Sequence, residues 1–160
     1  MKFLRVIRFD ESDLNIFDPP AVVDEWAISG GFAFADLAEE ALVGKTRQAF
    51  ANGFLGLPSF GWSTFAVTAE ISERSRDELI ELLAVRFVEV YGAPDMIAAR
   101  AAADGEIGFV AELCAEKPIN TVFTVRRVLK DGEIREEFRE ISPPSERPHA
   151  RVWEVVENDA

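Results

Sequence analysis

Histidine and cysteine, the residues most often used for nucleophilic and zinc chemistry, are rare in this chain. It has one histidine, His149, and one cysteine, Cys114. A zinc site here would need carboxylates for most of its ligands. Cys114 follows Val110 by one helical turn, which indicates a small buried hydrophobe. Carboxylate-only Ca²⁺ or Mg²⁺ sites stay open, but no acidic loop has EF-hand spacing. We therefore predict no metal site and no cofactor.

Two short motifs resemble parts of catalytic signatures. Residues 43–46, Val-Gly-Lys-Thr, end like a phosphate-binding P-loop, but Glu39 occupies the position of its first glycine, and the helical pattern places the motif inside a helix. Residues 61–65, Gly-Trp-Ser-Thr-Phe, begin like a nucleophile elbow but lack the second glycine, and the base would have to be His149. We predict no catalytic residue from either motif.

Arg86 is a candidate anion-binding residue. It lies seven residues after Leu79 and three after Leu83, within the apolar arc of a predicted helix. Such an arginine either extends its guanidinium to solvent or pairs with an acid such as Glu89. Alternatively, it is a buried cation that binds a carboxylate or phosphate ligand. Arg100, in the next predicted helix, is a candidate for the same role.

A segment without any charged residue, 48–69, contains the other candidate residues. It is long enough to span a bilayer, but its polar residues, glycines and proline exclude a lipid-facing helix. Within it, the glycines of residues 52–62 allow close backbone approach, and Phe54, Phe60 and Trp62 supply flat apolar area. These residues could cover the core of the domain, form a subunit interface or line a small-molecule pocket.

Composition limits the classes of partner. The 160 residues suit a single domain spanning the whole chain, with frayed residues 157–160. The 17 basic and 29 acidic side chains give a net charge of −12, which disfavours nucleic acid and anionic membranes. One cysteine permits no internal disulfide, and the N-terminus lacks a signal-peptide apolar run. We therefore expect a cytoplasmic protein.

The hydrophobic periodicity of the first half predicts alternating strands and helices. Residues 2–9 and 25–35 alternate as strands. A capping box at Asp36 and Glu39 predicts a helix that ends at residues 52–53, where Asn-Gly tolerates a left-handed cap. After a loop, residues 62–71 indicate another strand.

The second half predicts two helices and a hairpin. Ser75 and Glu78 form a capping box for a helix to Tyr91. Residues 95–117 are helical in pattern, although Asp104-Gly105 could divide them, and their alanine run at 98–103 favours tight helix packing. Residues 120–130 and 133–141 flank Asp131-Gly132, a hairpin-turn sequence that pairs Lys130 with Glu133, Arg127 with Glu136 and Arg126 with Glu137. Residues 151–156 predict a last short strand.

These elements predict the fold class. Hairpins and late strands favour a largely antiparallel sheet with about three helices over one face, an α+β two-layer sandwich.

Two stretches resemble a known group of proteins. Residues 1–13, Met-Lys-Phe-Leu-Arg-Val-Ile-Arg-Phe-Asp-Glu-Ser-Asp, and residues 25–35, Glu-Trp-Ala-Ile-Ser-Gly-Gly-Phe-Ala-Phe-Ala, are similar to a small family of uncharacterised alphaproteobacterial proteins. That family has no assigned activity, so the resemblance implies no catalytic residues. It implies a bacterial cytoplasmic accessory protein.

Two functional hypotheses follow. The first is a non-enzymatic accessory protein that forms a homo-oligomer, or binds a protein partner, through residues 52–62 or the alanine-rich helix. The alternative is a binding protein for a small anionic ligand, or an enzyme, with Arg86 anchoring the anion beneath residues 52–62. An ion pair at Arg86 would count against the alternative.

Overall fold

Seven strands and four α-helices form residues 1–141, the part of the chain that this computed structural model describes. The strands are β1 (Lys2–Ile7), β2 (Trp26–Ile28), β3 (Phe54–Leu57), β4 (Trp62–Ser63), β5 (Phe65–Glu70), β6 (Val122–Lys130) and β7 (Glu133–Ile141). The helices are α1 (Ser12–Ile16), α2 (Gly44–Asn52), α3 (Glu73–Glu89) and α4 (Met96–Cys114), with short 3-10 helices at Gly31–Phe34 and Glu39–Ala41.

The strands form one sheet in the order β4-β3-β2-β1-β5-β6-β7. Each neighbouring pair is antiparallel. Three of the helices have nine residues or more. The predicted α+β class with a largely antiparallel sheet is therefore confirmed.

The sheet is strongly curved. Helix α2 packs on both β4 and β6, although four strands separate these two in the sheet. The rings of Phe54 on β3 and Phe138 on β7 have centroids 6.3 Å apart. A flat sheet would separate β3 from β7 by about 24 Å, since neighbouring strands lie about 4.8 Å apart. The curvature therefore brings residues from the two ends of the sheet together.

The main core lies between the sheet and the helical hairpin formed by α3 and α4. Helix α4 packs on β1 and β2 and along α3. Ala99 and Ala103 are fully buried there, as the predicted tight helix packing requires. Large apolar side chains fill the rest, among them Leu4, Ile107 and Leu83.

The predicted β6–β7 hairpin is confirmed with its register. Lys130 pairs with Glu133, Arg127 with Glu136 and Arg126 with Glu137. Asp131 and Gly132 have φ angles of 54° and 79°. Both central residues of the two-residue turn thus have positive φ, as a type I′ turn requires.

The strand predicted over residues 25–35 is too long. It ends at Ile28, and the chain turns at Gly30, whose φ is +82°. A Cβ atom on Gly30 would lie 2.6 Å from the Cβ of Leu55 and 2.9 Å from the ring of Trp62. Only glycine fits this left-handed, crowded position, so the chain leaves the sheet and forms the 3-10 helix Gly31–Phe34.

The helix predicted from Asp36 begins eight residues later, at Gly44. Gly44 has a φ of +57°, which a continuous helix through it would not permit. The Val-Gly-Lys-Thr sequence consequently lies at the start of α2 instead of inside a helix. The helix ends at Asn52 as predicted, but Gly53 is extended, with φ −96°, and forms no left-handed cap.

Three further boundaries differ from the prediction. The loop expected after Gly53 contains the buried strand β3, and the strand expected at 62–71 is divided into β4 and β5. Helix α3 begins earlier, because Ser72, not Ser75, is its cap; the Oγ of Ser72 accepts from the Ser75 N–H at 3.0 Å. Helix α4 continues through Asp104-Gly105.

His149 and the predicted strand at 151–156 lie outside the described residues.

Candidate functional site

The candidate residues of the uncharged segment lie mostly in the core. Phe54 is 0% exposed on β3. Trp62 stacks at a tilt on Phe34, with ring centroids 5.1 Å apart. Phe60 alone of the three candidates lies in the turn between β3 and β4, where it is half-buried. Most of this segment therefore covers the domain's own core.

Glu25 fixes the turn that carries Phe60. Its carboxylate accepts hydrogen bonds from the N–H of Ser59 at 2.9 Å and from the N–H of Val22 at 2.8 Å, and the Ser59 hydroxyl donates to it as well. Gly56, on β3, leaves room for this carboxylate, because a Cβ there would lie 2.2 Å from its Oε2 atom. The turn is thus held against the segment before β2.

The structure brings Arg86 and Phe60 together. The guanidinium carbon of Arg86, on α3, lies 4.3 Å from the centroid of the Phe60 ring. The Nε atom of Arg86 is buried and has no hydrogen-bond partner among the residues that the structure describes. Within residues 1–141, no acid lies within ion-pair distance of Arg86, so the pair with Glu89 is not formed there.

Arg100 has a different environment. Its Nε lies 2.7 Å from one carboxylate oxygen of Glu81, and an NH₂ group lies 3.2 Å from the other. This bidentate pair raises the pKa of Arg100 and lowers the pKa of Glu81. Arg100 therefore joins α4 to α3, and its guanidinium is already occupied by an acid.

Exposed apolar side chains are concentrated at the end of the helical hairpin where α3 is joined to α4. We call residues 85–97 the hairpin tip. These thirteen residues hold five of the fifteen large hydrophobic side chains exposed in the described chain. Ile97 is 80% exposed and Val90 52%, and the others are Val85, Val88 and Tyr91. Arg86 lies within the same stretch, so a cation without an ion pair in the described part of the chain adjoins an apolar surface.

Sequence reasoning missed a buried network around Arg127, whose side chain is 0% exposed. Its Nε donates to Oε2 of Glu136 at 2.7 Å. Its two NH₂ groups donate to four main-chain carbonyls in the segment that connects β2 to β3. These carbonyls belong to Ser29, Ala49, Phe50 and Gly53. The guanidinium thereby ties α2 and the end of β2 to the β6–β7 hairpin.

Glu136 completes this network. Its Oε2 atom also accepts from the Ser29 hydroxyl at 2.5 Å. Gly31 permits that position, since a Cβ on it would lie 2.5 Å from the same oxygen. Burial lowers the pKa of Arg127, and the hydrogen bond and charge of Glu136 oppose that shift. One signal was present in the sequence: Arg127 lies on the same face of β6 as the buried Phe123 and Val125.

A groove of about 470 Å³ lies next to the network, between the 3-10 helix Gly31–Phe34, α4 and β7. The residues that line it include two phenylalanines, Phe32 and Phe109, and two glutamates, Glu106 and Glu136. Burial and the charge of Glu136 raise the pKa of Glu106, while Arg127 opposes the rise. A second groove of about 320 Å³ shares Phe32 and Glu106 and extends toward α3, where it is lined by Asp36, Phe87 and Tyr91.

Metal-binding geometry is not found in the part of the chain that the structure covers. No group of three or more His, Cys, Asp or Glu residues there is placed to hold an ion. Cys114 is fully buried, as its spacing predicts, and burial raises the pKa of its thiol to about 12. No helix within residues 1–141 has the length and apolar character of a membrane span.

The chain belongs to a family of unknown function, DUF6505, whose model matches residues 1–152. The resemblance to an uncharacterised family is thereby confirmed, and it extends well beyond the two stretches in which it was seen. Comparison with curated proteins and with solved structures gave no match.

Proposed function

We propose that this protein is a non-enzymatic accessory protein that acts as a homo-oligomer, with the hairpin tip as its contact surface. The observation that supports this proposal is the concentration of exposed apolar side chains around Arg86, which forms no ion pair within residues 1–141. Exposed apolar patches bordered by polar residues are typical of protein-binding sites.

The charge of the chain favours one location for such a contact. With a net charge of −12, two copies repel each other over most of their surfaces. The hairpin tip offers apolar area instead, and burying it contributes about 25 cal/mol per Å². Association through the tip is therefore the arrangement that best offsets the repulsion.

The tip is also self-complementary in charge. Arg86 and the exposed Glu89 lie one helical turn apart, and neither forms an ion pair within residues 1–141. In a two-fold symmetric contact, each surface meets the same surface of the second copy. Antiparallel packing of two α3 helices would bring Arg86 of one copy toward Glu89 of the other. The occupant we propose is therefore a second copy of this chain.

Light scattering coupled to size exclusion tests this function. Val88→Asp should convert the oligomer to a monomer, because it buries a charge in the contact. Val22→Asp is the matched control, since Val22 is also exposed, lies outside the tip and receives the same charge. A wild-type protein that is monomeric at micromolar concentration, or equal behaviour of the two variants, would contradict the proposal.

Binding of a small anionic ligand at Arg86 is a second candidate function. The buried Nε of Arg86 favours it, since this atom has no hydrogen-bond partner in residues 1–141. Succinate or phosphate bound there would raise the melting temperature of the native protein. The shift should be lost in Arg86→Gln and retained in Arg74→Gln, a substitution at an exposed arginine of the same helix. Equal shifts in both variants would exclude an anion site at Arg86.

We further propose a bacterial cytoplasmic setting. The resemblance of residues 1–13 and 25–35 supports the bacterial origin. A single, buried cysteine is consistent with a reducing compartment. Subcellular fractionation of a native host would test the location.

A further inference from the structure

The groove beside the Arg127 network combines two features that recognise the same kind of molecule. Two phenylalanines, Phe32 and Phe109, and two glutamates, Glu106 and Glu136, line the same groove. Ring faces and carboxylates both attract cations, and an aromatic wall also accepts an apolar body. The volume of about 470 Å³ falls within the range of small-molecule pockets.

We infer that this groove binds a small organic cation, a ligand with an ammonium group on an apolar body. The ammonium group lies between Glu106 and Glu136, and the apolar body lies against Phe32 and Phe109. The site adjoins the hairpin tip, because the ring of Phe32 contacts the rings of Phe87 and Tyr91. Its other residues, Glu106, Phe109 and Glu136, lie outside residues 85–97, and binding there does not depend on self-association.

The charges on the groove wall leave a negative balance. Oε2 of Glu136 is occupied by Arg127 and Ser29, whereas its Oε1 accepts no hydrogen bond from residues 1–141. Glu106 forms neither a hydrogen bond nor an ion pair within that range, so its carboxylate is available to a ligand. Two carboxylates against one guanidinium therefore favour a ligand with one positive charge.

The same geometry disfavours the other classes of ligand. An anion would meet two glutamates, and the guanidinium of Arg127 is fully buried, with its NH₂ groups directed at main-chain carbonyls. A Ca²⁺ ion takes six to eight oxygen ligands, more than two carboxylates supply. The overall charge of −12 adds long-range attraction for cations and repulsion for anions.

Three probes of nearly equal shape separate the contributions of charge and apolar contact. Phenethylamine carries the ammonium group, phenethyl alcohol is its neutral counterpart and hydrocinnamate is its anionic counterpart. Isothermal titration calorimetry should detect binding of the amine at millimolar concentration, weaker binding of the alcohol and none of the anion. Absence of amine binding, or equal binding of the amine and the alcohol, would overturn the inference.

Two variants assign the binding to the groove. Glu106→Gln keeps the shape and removes the charge, and should weaken amine binding roughly tenfold or more. Glu112→Gln, at an exposed position of the same helix, is the matched control and should bind the amine as the wild type does. Phe109→Ala should weaken the amine and the alcohol alike, and it tests the groove independently of the carboxylates. Unchanged amine binding in Glu106→Gln or Phe109→Ala would overturn the inference.

A measurement on a dissociated variant tests whether amine binding in the groove is independent of the proposed self-association. Val88→Asp, which should abolish self-association, should bind phenethylamine with unchanged affinity. Loss of amine binding in Val88→Asp would place the site at the contact between copies and not in this groove.

Discussion

Two arginines of this chain have opposite environments. Arg127 is fully buried and donates to Glu136 and to four main-chain carbonyls. Arg86 is half-buried, stacks on Phe60 and has no acid within ion-pair distance in the described chain. Desolvating a guanidinium is unfavourable unless partners replace water. Arg127 is therefore tied into the fold, whereas Arg86 retains the capacity to bind a partner.

The comparison predicts the largest change in stability at Arg127. Arg127→Met should lower the free energy of unfolding by about 3–5 kcal/mol, because Glu136 and several carbonyls lose their buried partner. Arg126→Met is the control, since Arg126 is exposed on the same strand. Urea unfolding of both variants measures the difference. If they were equally stable, the network would not hold the fold together.

Gly31 supports the same network through its lack of a side chain. Gly31→Ala should cost about 1–3 kcal/mol, because the added Cβ would displace the Glu136 carboxylate from Arg127 and Ser29. Gly108→Ala is the control, since a Cβ on Gly108 meets no atom within 4 Å and alanine favours the helix. If Gly31→Ala were as stable as Gly108→Ala, the carboxylate of Glu136 would have room to move away from the added Cβ.

Arg86 should contribute little to the folding stability of the monomer. Arg86→Gln should lower the free energy of unfolding by about 0.5–1 kcal/mol, through loss of the cation–π contact with Phe60. The measurement is made in the Val88→Asp background, so that association does not add to stability. A loss as large as that of Arg127→Met would remove the distinction between the two arginines.

The raised pKa of Glu106 predicts a small effect on the stability of the fold that depends on pH. Its pKa is raised in the folded chain, so its ionisation destabilises the fold at a pH above the raised value. As the pH falls below that value, the carboxyl takes up a proton in the folded state and the penalty decreases, until it is gone below the ordinary glutamate pKa. The groups that surround Glu106 are Glu136 and Arg127, with Asp36 in the adjoining groove.

Glu106→Gln should therefore raise the melting temperature at mildly alkaline pH, and the gain should vanish below the ordinary glutamate pKa of 4.5. Glu112→Gln, at an exposed position of the same helix, is the matched control. A gain for Glu106→Gln that is independent of pH would show that its charge is not the cause.

The sequence predicts best the structure that is determined by nearby residues. Asp131-Gly132 defines a turn by its own backbone preferences, and the charge pairs beside it then determine the register of the β6–β7 hairpin. The burial of the Arg127 side chain could not be predicted from neighbouring residues in this way. Its burial results from the curvature of the sheet, which brings α2 over β6.

The incorrect predictions arise where distant contacts override local patterns. Residues 25–35 alternate like a strand, but Leu55 and Trp62 crowd Gly30 and the chain turns there. The capping pattern at Asp36 is equally local, and the left-handed Gly44 interrupts the helix that it predicts.

The groove could not be predicted from the sequence, since it joins residues from three separate parts of the chain: the 3-10 helix at 31–34, α4 and β7. Phe60 and Arg86 were both candidates from sequence, yet their contact also depends on the three-dimensional structure. The types of residue therefore indicate candidates for function, but the residues that each candidate contacts can be found only from the three-dimensional structure.

Analytical ultracentrifugation of variants that exchange the charges of Arg86 and Glu89 tests most directly the claim that the hairpin tip binds a second copy. Wild type should sediment as an oligomer, and Arg86→Glu should dissociate it, because two acids then face each other across the two-fold contact. The double variant Arg86→Glu with Glu89→Arg should associate again, since the pair is restored with its signs exchanged. A monomeric wild type, or a double variant as dissociated as the single one, would contradict the account.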